Sequence, residues 1–299
     1  MLTAQCRTPE EIISAAEGKD IKVLIVQYAP ITEKVFENLP SLKAVVRYGI
    51  GYDVFDIEAA TKHGVCAMNV ENYCEEEVAT HAMSLILALN RKIIQLNEQV
   101  KEGKWDVFLV GDVRKISQST LGLIGFGKIA QKVAKRIAAF GADVLVYDPY
   151  IDDKLVSQFK NTSRTNLKFV LEKSDFISIH TPLTEETEHM IGADQFRSMK
   201  DSACVINTSR GSIINEKALI DSLKNEEIAG AALDVLEEEP IPKDSSLKEF
   251  DNVILTPHAS WYSNEAIKKL KSKVANQAID VLQGNKPEFL INEEVWGKN

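Results

Sequence analysis

Three short apolar segments late in the chain end in residues that could do chemistry. They are Asn207-Thr208-Ser209-Arg210-Gly211, Asp234-Val235-Leu236-Glu237-Glu238-Glu239-Pro240 and Thr256-Pro257-His258-Ala259-Ser260-Trp261. An arginine, a carboxylate and a histidine brought together suit the reduction of a 2-keto acid. The planar fork of Arg210 can hold a carboxylate and polarise the adjoining carbonyl. Histidine is the side chain suited to give the carbonyl oxygen a proton near neutral pH, a role open to His258. A glutamate beside it can orient the ring and favour the imidazolium. Spacing alone leaves open which of Glu237, Glu238 and Glu239 does so. Each residue type also occurs blandly, as a surface ion pair, a solvated charge run or a turn residue.

Upstream, Gly125-Phe126-Gly127-Lys128-Ile129-Ala130 joins the apolar run Thr120–Ile124 to an amphipathic stretch, Lys128–Phe140. Between a strand and a helix, such a glycine turn is a dinucleotide-binding signature. Gly125 allows the tight turn, Gly127 lets the backbone approach a pyrophosphate, and Ala130 packs helix on strand. Unpaired N–H groups and the positive end of the helix dipole hold the phosphates. The next strand ends in Tyr147-Asp148-Pro149, about 20 residues on, where a carboxylate accepts hydrogen bonds from ribose hydroxyls. Asp148 repels a 2′-phosphate and no arginine follows closely, so NAD is expected over NADP. The plainer alternative is a structural turn with Asp148 as a helix cap.

The elements that must position these residues alternate along the chain. Candidate strands are Lys22–Gln27, Ala44–Tyr48, Cys66–Val70, Thr120–Ile124, Val144–Tyr147, Phe176–His180, Cys204–Thr208, Gly230–Val235 and Val253–Thr256. Consecutive apolar residues, as in Val23-Leu24-Ile25-Val26, suit a parallel sheet buried on both faces. Strand–helix alternation then predicts a doubly wound α/β architecture. Thr8-Pro9-Glu10-Glu11 and Asn215-Glu216-Lys217 read as helix starts. A stripe from Val78 through Met83, Ile86, Leu89 and Ile93 to Leu96 reads as one long helix, long enough to pass between domains.

A chain of 299 residues suits two domains. A net charge of −9 argues against nucleic acid as partner. No apolar run reaches the roughly 20 residues of a membrane helix, and Met1–Pro9 lacks a signal pattern. The four cysteines (Cys6, Cys66, Cys74, Cys204) form no C-x-x-C pair and read as buried thiols in a reducing, cytoplasmic compartment. His63, His81, His180 and His189 lack metal-ligand spacing, so no metal is expected and they read as structural.

In order, Gly125-x-Gly127, Tyr147-Asp148-Pro149, His180-Thr181-Pro182-Leu183-Thr184, Asn207 through Gly211, Ala232-Leu233-Asp234-Val235 through Glu239-Pro240, and Thr256-Pro257-His258 resemble the D-isomer-specific 2-hydroxyacid dehydrogenases. The resemblance runs from about Val45 to the C-terminus. It implies a Rossmann sheet, residues 74–263, and a smaller flavodoxin-like substrate domain, residues 1–73 and 264–299, with hinges near Tyr73 and Ser263. It implies that Arg210 binds substrate, His258 donates the proton and Glu239 is its partner. It implies NAD contacts at Gly125, Gly127, Lys128, Ile129, Asp148, Thr181, Thr208, Ser209 and Asp234, the last on the nicotinamide amide. Tyr48-Gly49-Ile50-Gly51, followed by Asp53 and Asp56, resembles the family loop whose N–H groups hold the substrate carboxylate. A homodimer follows, with residues 103–119 embracing the partner.

The segment from His258 through Trp261 to Ser263 resembles the C-terminal binding protein branch, in which the tryptophan lines the substrate pocket; a packed aromatic at a helix start is the alternative for Trp261. Relatives begin with a strand ahead of Leu2-Thr3-Ala4-Gln5, itself read as a strand, and the missing one would lie near the centre of the smaller sheet. Two rivals accompany the dehydrogenase reading. One is an NAD(H)-sensing scaffold of the co-repressor type, the other a short-form phosphoglycerate dehydrogenase.

Overall fold

A computed structural model describes residues 3–297, which group into two compact units. One runs to Cys74 and resumes at Tyr262, and the other spans Glu75–Trp261. Cys74, Tyr262 and Ser263, expected in the larger unit, fall in the smaller one. The reason for Ser263 is local: its hydroxyl accepts from Ala266 N–H and caps the helix that follows.

The smaller unit alternates α1 (Pro9–Ala16), β1 (Val23–Val26), α2 (Glu33–Asn38), β2 (Ala44–Arg47), α3 (Ile57–Lys62) and β3 (Cys66–Met68). Thr8 and Glu11 close a reciprocal capping box ahead of α1, with Pro9 in its first turn. The strands are parallel in the order β1-β2-β3. Ala44, Val45 and Val46 on the central strand are fully buried, whereas Ile25 on the β1 edge is exposed. Thr3–Gln5, expected as a strand, is exposed and joins no ladder among the described residues; Leu2 lies outside them.

The larger unit runs α4 (Glu75–Arg91), α5 (Ile93–Lys101), β4 (Thr120–Ile124), α6 (Lys128–Ala139), β5 (Asp143–Tyr147), α7 (Asp153–Val156), β6 (Thr162–Arg164), α8 (Leu167–Lys173), β7 (Phe176–Ile179), α9 (Ala193–Ser198), β8 (Cys204–Asn207), α10 (Glu216–Lys224), β9 (Gly230–Leu233) and β10 (Val253–Leu255). α11 (Asn264–Gln283) then belongs to the smaller unit. The seven strands are parallel, in the order β10-β9-β8-β7-β4-β5-β6. The chain starts mid-sheet at β4, walks outward to β6, then returns to β4's other side at β7. That reversal opens a crevice at the carboxyl ends of β4 and β7, where open α/β sheets bind ligands.

Alternation along the strands fills a core on each face. Phe176, Cys204, Ile206 and Ala232 face α4 and α6, while Ile177, Ile179, Val205, Ala231 and Leu233 pack toward α8, α9 and α10. The long apolar stripe is not one helix. Lys92 adopts φ +53, which ends the hydrogen-bond ladder of α4, and Ile93, Ile94 and Val100 on α5 stand exposed. The polar edge strand β6, Thr162-Ser163-Arg164, carried no apolar signal in the sequence. Cys66, Cys74 and Cys204 are buried, but Cys6 only partly so. Among the described residues no helix is long and apolar enough to cross a membrane, and no cluster of His, Cys, Asp and Glu could hold a metal ion.

Candidate active site

The turn after β4 sits at the sheet's reversal point. Gly125 has φ +88, and a Cβ there would lie 2.8 Å from the carbonyl carbon of His180 and 2.9 Å from the nitrogen of Thr181. Only glycine both adopts this conformation and lets the β4 and β7 loops approach so closely. Phe126, between the glycines, is fully buried. Gly127 is the N-cap of α6 with no side-chain cap, and the space its missing Cβ would occupy is open to 4 Å. The first-turn N–H groups of α6 therefore face a bare turn, the arrangement that receives an anion.

Asp148 follows β5 directly and helps shape that turn. Its Oδ2 accepts from Phe126 N–H at 2.8 Å and its Oδ1 from Tyr150 N–H at 2.9 Å. Each oxygen keeps a second lone pair for a hydroxyl. Arg164, far off in sequence, donates to the Asp148 carbonyl and pairs with Asp153. Beyond β7, His180 is partly buried, and desolvation lowers its pKa to about 4, so it is neutral near pH 7.

The loop after β8 is built by Asn207, the first residue of the Asn207–Gly211 segment. Its buried amide donates to the Arg210 carbonyl at 2.8 Å and its Oδ1 accepts from Ser209 N–H at 3.0 Å, an Asx-type turn. Ser209 Oγ donates to the Ile179 carbonyl, tying β8 to β7. Thr208 Oγ1 is buried without a partner among the described residues, which marks it for a ligand. That orphaned hydroxyl, the uncapped α6 terminus and the open space at Gly127 fit a dinucleotide.

Gly211 follows Arg210 and touches the next loop. A Cβ on it would fall 1.9 Å from the carbonyl carbon of Leu236. The backbones of the β8 and β9 loops thus lie in contact, and the second of them carries Glu239. The acidic run divides its work. Glu239 Oε2 meets His258 Nδ1 at 2.8 Å while its Oε1 accepts from Leu236 N–H. Glu237, though exposed, pairs with His189 Nε2 at 2.9 Å and accepts from Glu216 N–H. Glu238 is exposed. His258 Nε2 has no partner among the described residues.

Asp234, expected on the nicotinamide amide, is also tied into the protein. Its carboxylate is enclosed, with 0% side-chain exposure. Its Oδ1 accepts from Thr256 Oγ1 and Ala259 N–H, and its Oδ2 from Ser260 N–H. A carboxylate has about four acceptor positions, and three of these serve to hold the loop after β10. His81 on α4 reaches the same network, with Nε2 3.1 Å from Thr256 Oγ1. Trp261 is partly buried at the end of this unit.

In the smaller unit, Arg47 organises the loop after β2. It donates from Nε to the Gly51 carbonyl at 2.8 Å and from Nη1 to the Tyr48 carbonyl at 3.2 Å. The Gly49 and Ile50 carbonyls accept from Val70 N–H and Asn69 Nδ2. The loop thus commits four successive carbonyls to the protein. Asp56 is the N-cap of α3, its Oδ1 accepting from Ala59 N–H.

Residues 83–260 match the family model for the D-isomer specific 2-hydroxyacid dehydrogenase, NAD binding domain. A glyoxylate reductase of Korarchaeum cryptofilum is 40% identical over 293 residues, covering 96% of this chain and 87% of that protein. A D-3-phosphoglycerate dehydrogenase of Methanocaldococcus jannaschii is 40% identical over 286 residues, covering 95% of this chain but 54% of its own length. Among solved structures, the D-lactate dehydrogenase of Aquifex aeolicus complexed with NAD and lactic acid superposes with a TM-score of 0.85 at 28% identity, covering 93% of this chain and 88% of that one.

Proposed function

We propose that this chain, which belongs to the D-isomer-specific 2-hydroxyacid dehydrogenases and is an NAD-dependent oxidoreductase, reduces a small 2-keto acid to the 2-hydroxy acid. The observation that carries the reading is the 2.8 Å pair between His258 Nδ1 and Glu239 Oε2, in the unit that also bears the dinucleotide turn.

When bound, NADH supplies the hydride for the carbonyl carbon. The carbonyl oxygen takes its proton from His258 Nε2, the ring nitrogen that Glu239 leaves unengaged. Glu239 accepts from Nδ1 before and after the transfer, so it fixes the ring plane and the tautomer. Arg210 binds the substrate carboxylate and polarises the carbonyl. In the smaller unit, the substrate-binding domain on this reading, Gly49, Ile50 and Gly51 have their carbonyls turned to the protein, and their N–H groups are donors suited to a carboxylate. Gly125, Gly127, Lys128 and Ile129 hold the pyrophosphate, Asp148 the adenosine ribose, and Thr181, Thr208 and Ser209 the remainder of the cofactor.

The glyoxylate reductase relatives support a short substrate, glyoxylate or hydroxypyruvate, and Trp261 limits its side chain. The exposed Trp105 (89%) and Phe108 (86%) support a homodimer through the segment that follows α5. The test of mechanism is His258→Ala. It is expected to keep NADH affinity within about twofold and to lose about a hundredfold or more in turnover; retained turnover contradicts the proton-donor role.

A further inference from the structure

His81 lies on α4, well outside the loops that carry the catalytic set, yet its ring is built into the support of one of them. Its Nε2 is 3.1 Å from Thr256 Oγ1 and 3.6 Å from Asp234 Oδ1. Thr256 Oγ1 is 2.5 Å from Asp234 Oδ1. A carboxylate only accepts, so the single hydroxyl proton of Thr256 is spent on Asp234. The ring nitrogen facing that hydroxyl must then be the one carrying a proton. This fixes the direction of the chain: His81 Nε2–H donates to Thr256 Oγ1, which donates to Asp234.

Asp234 in turn holds the loop that bears His258. The N–H groups of His258, Ala259 and Ser260 donate to its carbonyl, its Oδ1 and its Oδ2, at 2.8, 2.8 and 2.9 Å. His258 itself has φ +52, a conformation that a side-chain-bearing residue keeps only when its surroundings over-determine it. A rigid helix thereby reaches the backbone of the proton donor through one hydroxyl and one buried carboxylate. We propose that His81 is a positioning residue, which sets the backbone of His258 through Thr256 and Asp234 without touching substrate or cofactor. The proposal rests on the reading of His258 as proton donor.

The test compares His81→Phe, His81→Gln and Thr256→Val with the unmodified protein and with His258→Ala. Glutamine carries an N–H donor near the position of Nε2; phenylalanine does not. The first readout is hydrogen exchange at the Ala259 and Ser260 amides, which needs no turnover. His81→Phe is expected to speed it about tenfold or more, and His81→Gln to restore it. The second is NADH oxidation with glyoxylate and hydroxypyruvate. His81→Phe is expected to lower kcat about ten- to a hundredfold with NADH affinity within about twofold, with the glutamine recovering most of it.

Thr256→Val carries the test if His81→Phe does not fold, and is expected to act in the same direction. Unchanged exchange in His81→Phe and Thr256→Val, or a loss that glutamine does not rescue, overturns the proposal. If His258→Ala keeps turnover while exchange responds as expected, the reading of His258 fails and the bracing of its loop stands.

Discussion

The N–H of His258 donates to the carbonyl of Asp234 at 2.8 Å, and the following two N–H groups donate to the same residue's carboxylate. One residue at the end of β9 therefore sets the backbone of the loop after β10, including the strained conformation of the histidine. Replacing Asp234 with Asn keeps the shape but turns one acceptor into a donor facing a donor. The variant is expected to lose about 2–4 kcal/mol in urea unfolding, because a buried charge-assisted network is broken. Unchanged stability would mean that the carboxylate does not hold this loop.

Gly211 offers a steric test of the contact between neighbouring loops. Alanine there places a carbon 1.9 Å from the Leu236 carbonyl carbon, and neither backbone has a flexible end to move. Gly211→Ala is expected to cost about 3 kcal/mol or to prevent folding, with turnover lost in any folded fraction. A variant as stable and active as the parent contradicts this packing.

Asp148 bears on cofactor choice. With the carboxylate gone, a 2′-phosphate meets no like charge, and Arg164 stands nearby through its bond to the Asp148 carbonyl. Asp148→Ser is expected to shift the NADH-to-NADPH affinity ratio at least about tenfold toward NADPH. It also weakens NADH binding, since the turn loses the Phe126 and Tyr150 hydrogen bonds. Fluorescence titration of both cofactors measures the ratio; an unchanged ratio removes Asp148 from the ribose.

His180 makes stability depend on pH in a defined window. Its folded pKa of about 4 lies below the ordinary value of 6.5. The unfolded chain therefore binds a proton that the folded chain refuses between those values. Its share of stability is complete above about pH 6.5 and is lost as pH falls toward 4, amounting to at most about 3 kcal/mol. His180→Gln is expected to show a shallower loss between neutrality and about pH 4.5 in urea unfolding. Equal slopes would mean that the histidine is protonated in the folded state.

Much of this was legible in the residues themselves. The strands named from apolar runs formed within a residue or two of their expected ends, because buried parallel strands need consecutive apolar residues. The glycine turn was readable because its strand, helix and acid lie within one local unit. Edge strand β6 was not, since Thr162-Ser163-Arg164 carries no apolar pattern, and neither was the break at Lys92, where the stripe continues across a left-handed residue. The second tier of the site was hidden for a different reason. His81, Asn207 and Thr256 act by hydrogen bonds set by folding, and His81 meets Thr256 across 175 positions of sequence. The partners of Glu237 were equally hidden, because nothing in its spacing announces His189 and Glu216.

The measurement that bears most directly on the central claim is NADH oxidation by the purified chain against glyoxylate, hydroxypyruvate, pyruvate, phosphohydroxypyruvate and phenylpyruvate. Fastest turnover is expected with glyoxylate or hydroxypyruvate, little with the bulky phenyl compound, and a preference for NADH over NADPH. Tight NADH binding with no turnover of any of the five would contradict the account and leave a dinucleotide-binding scaffold in its place.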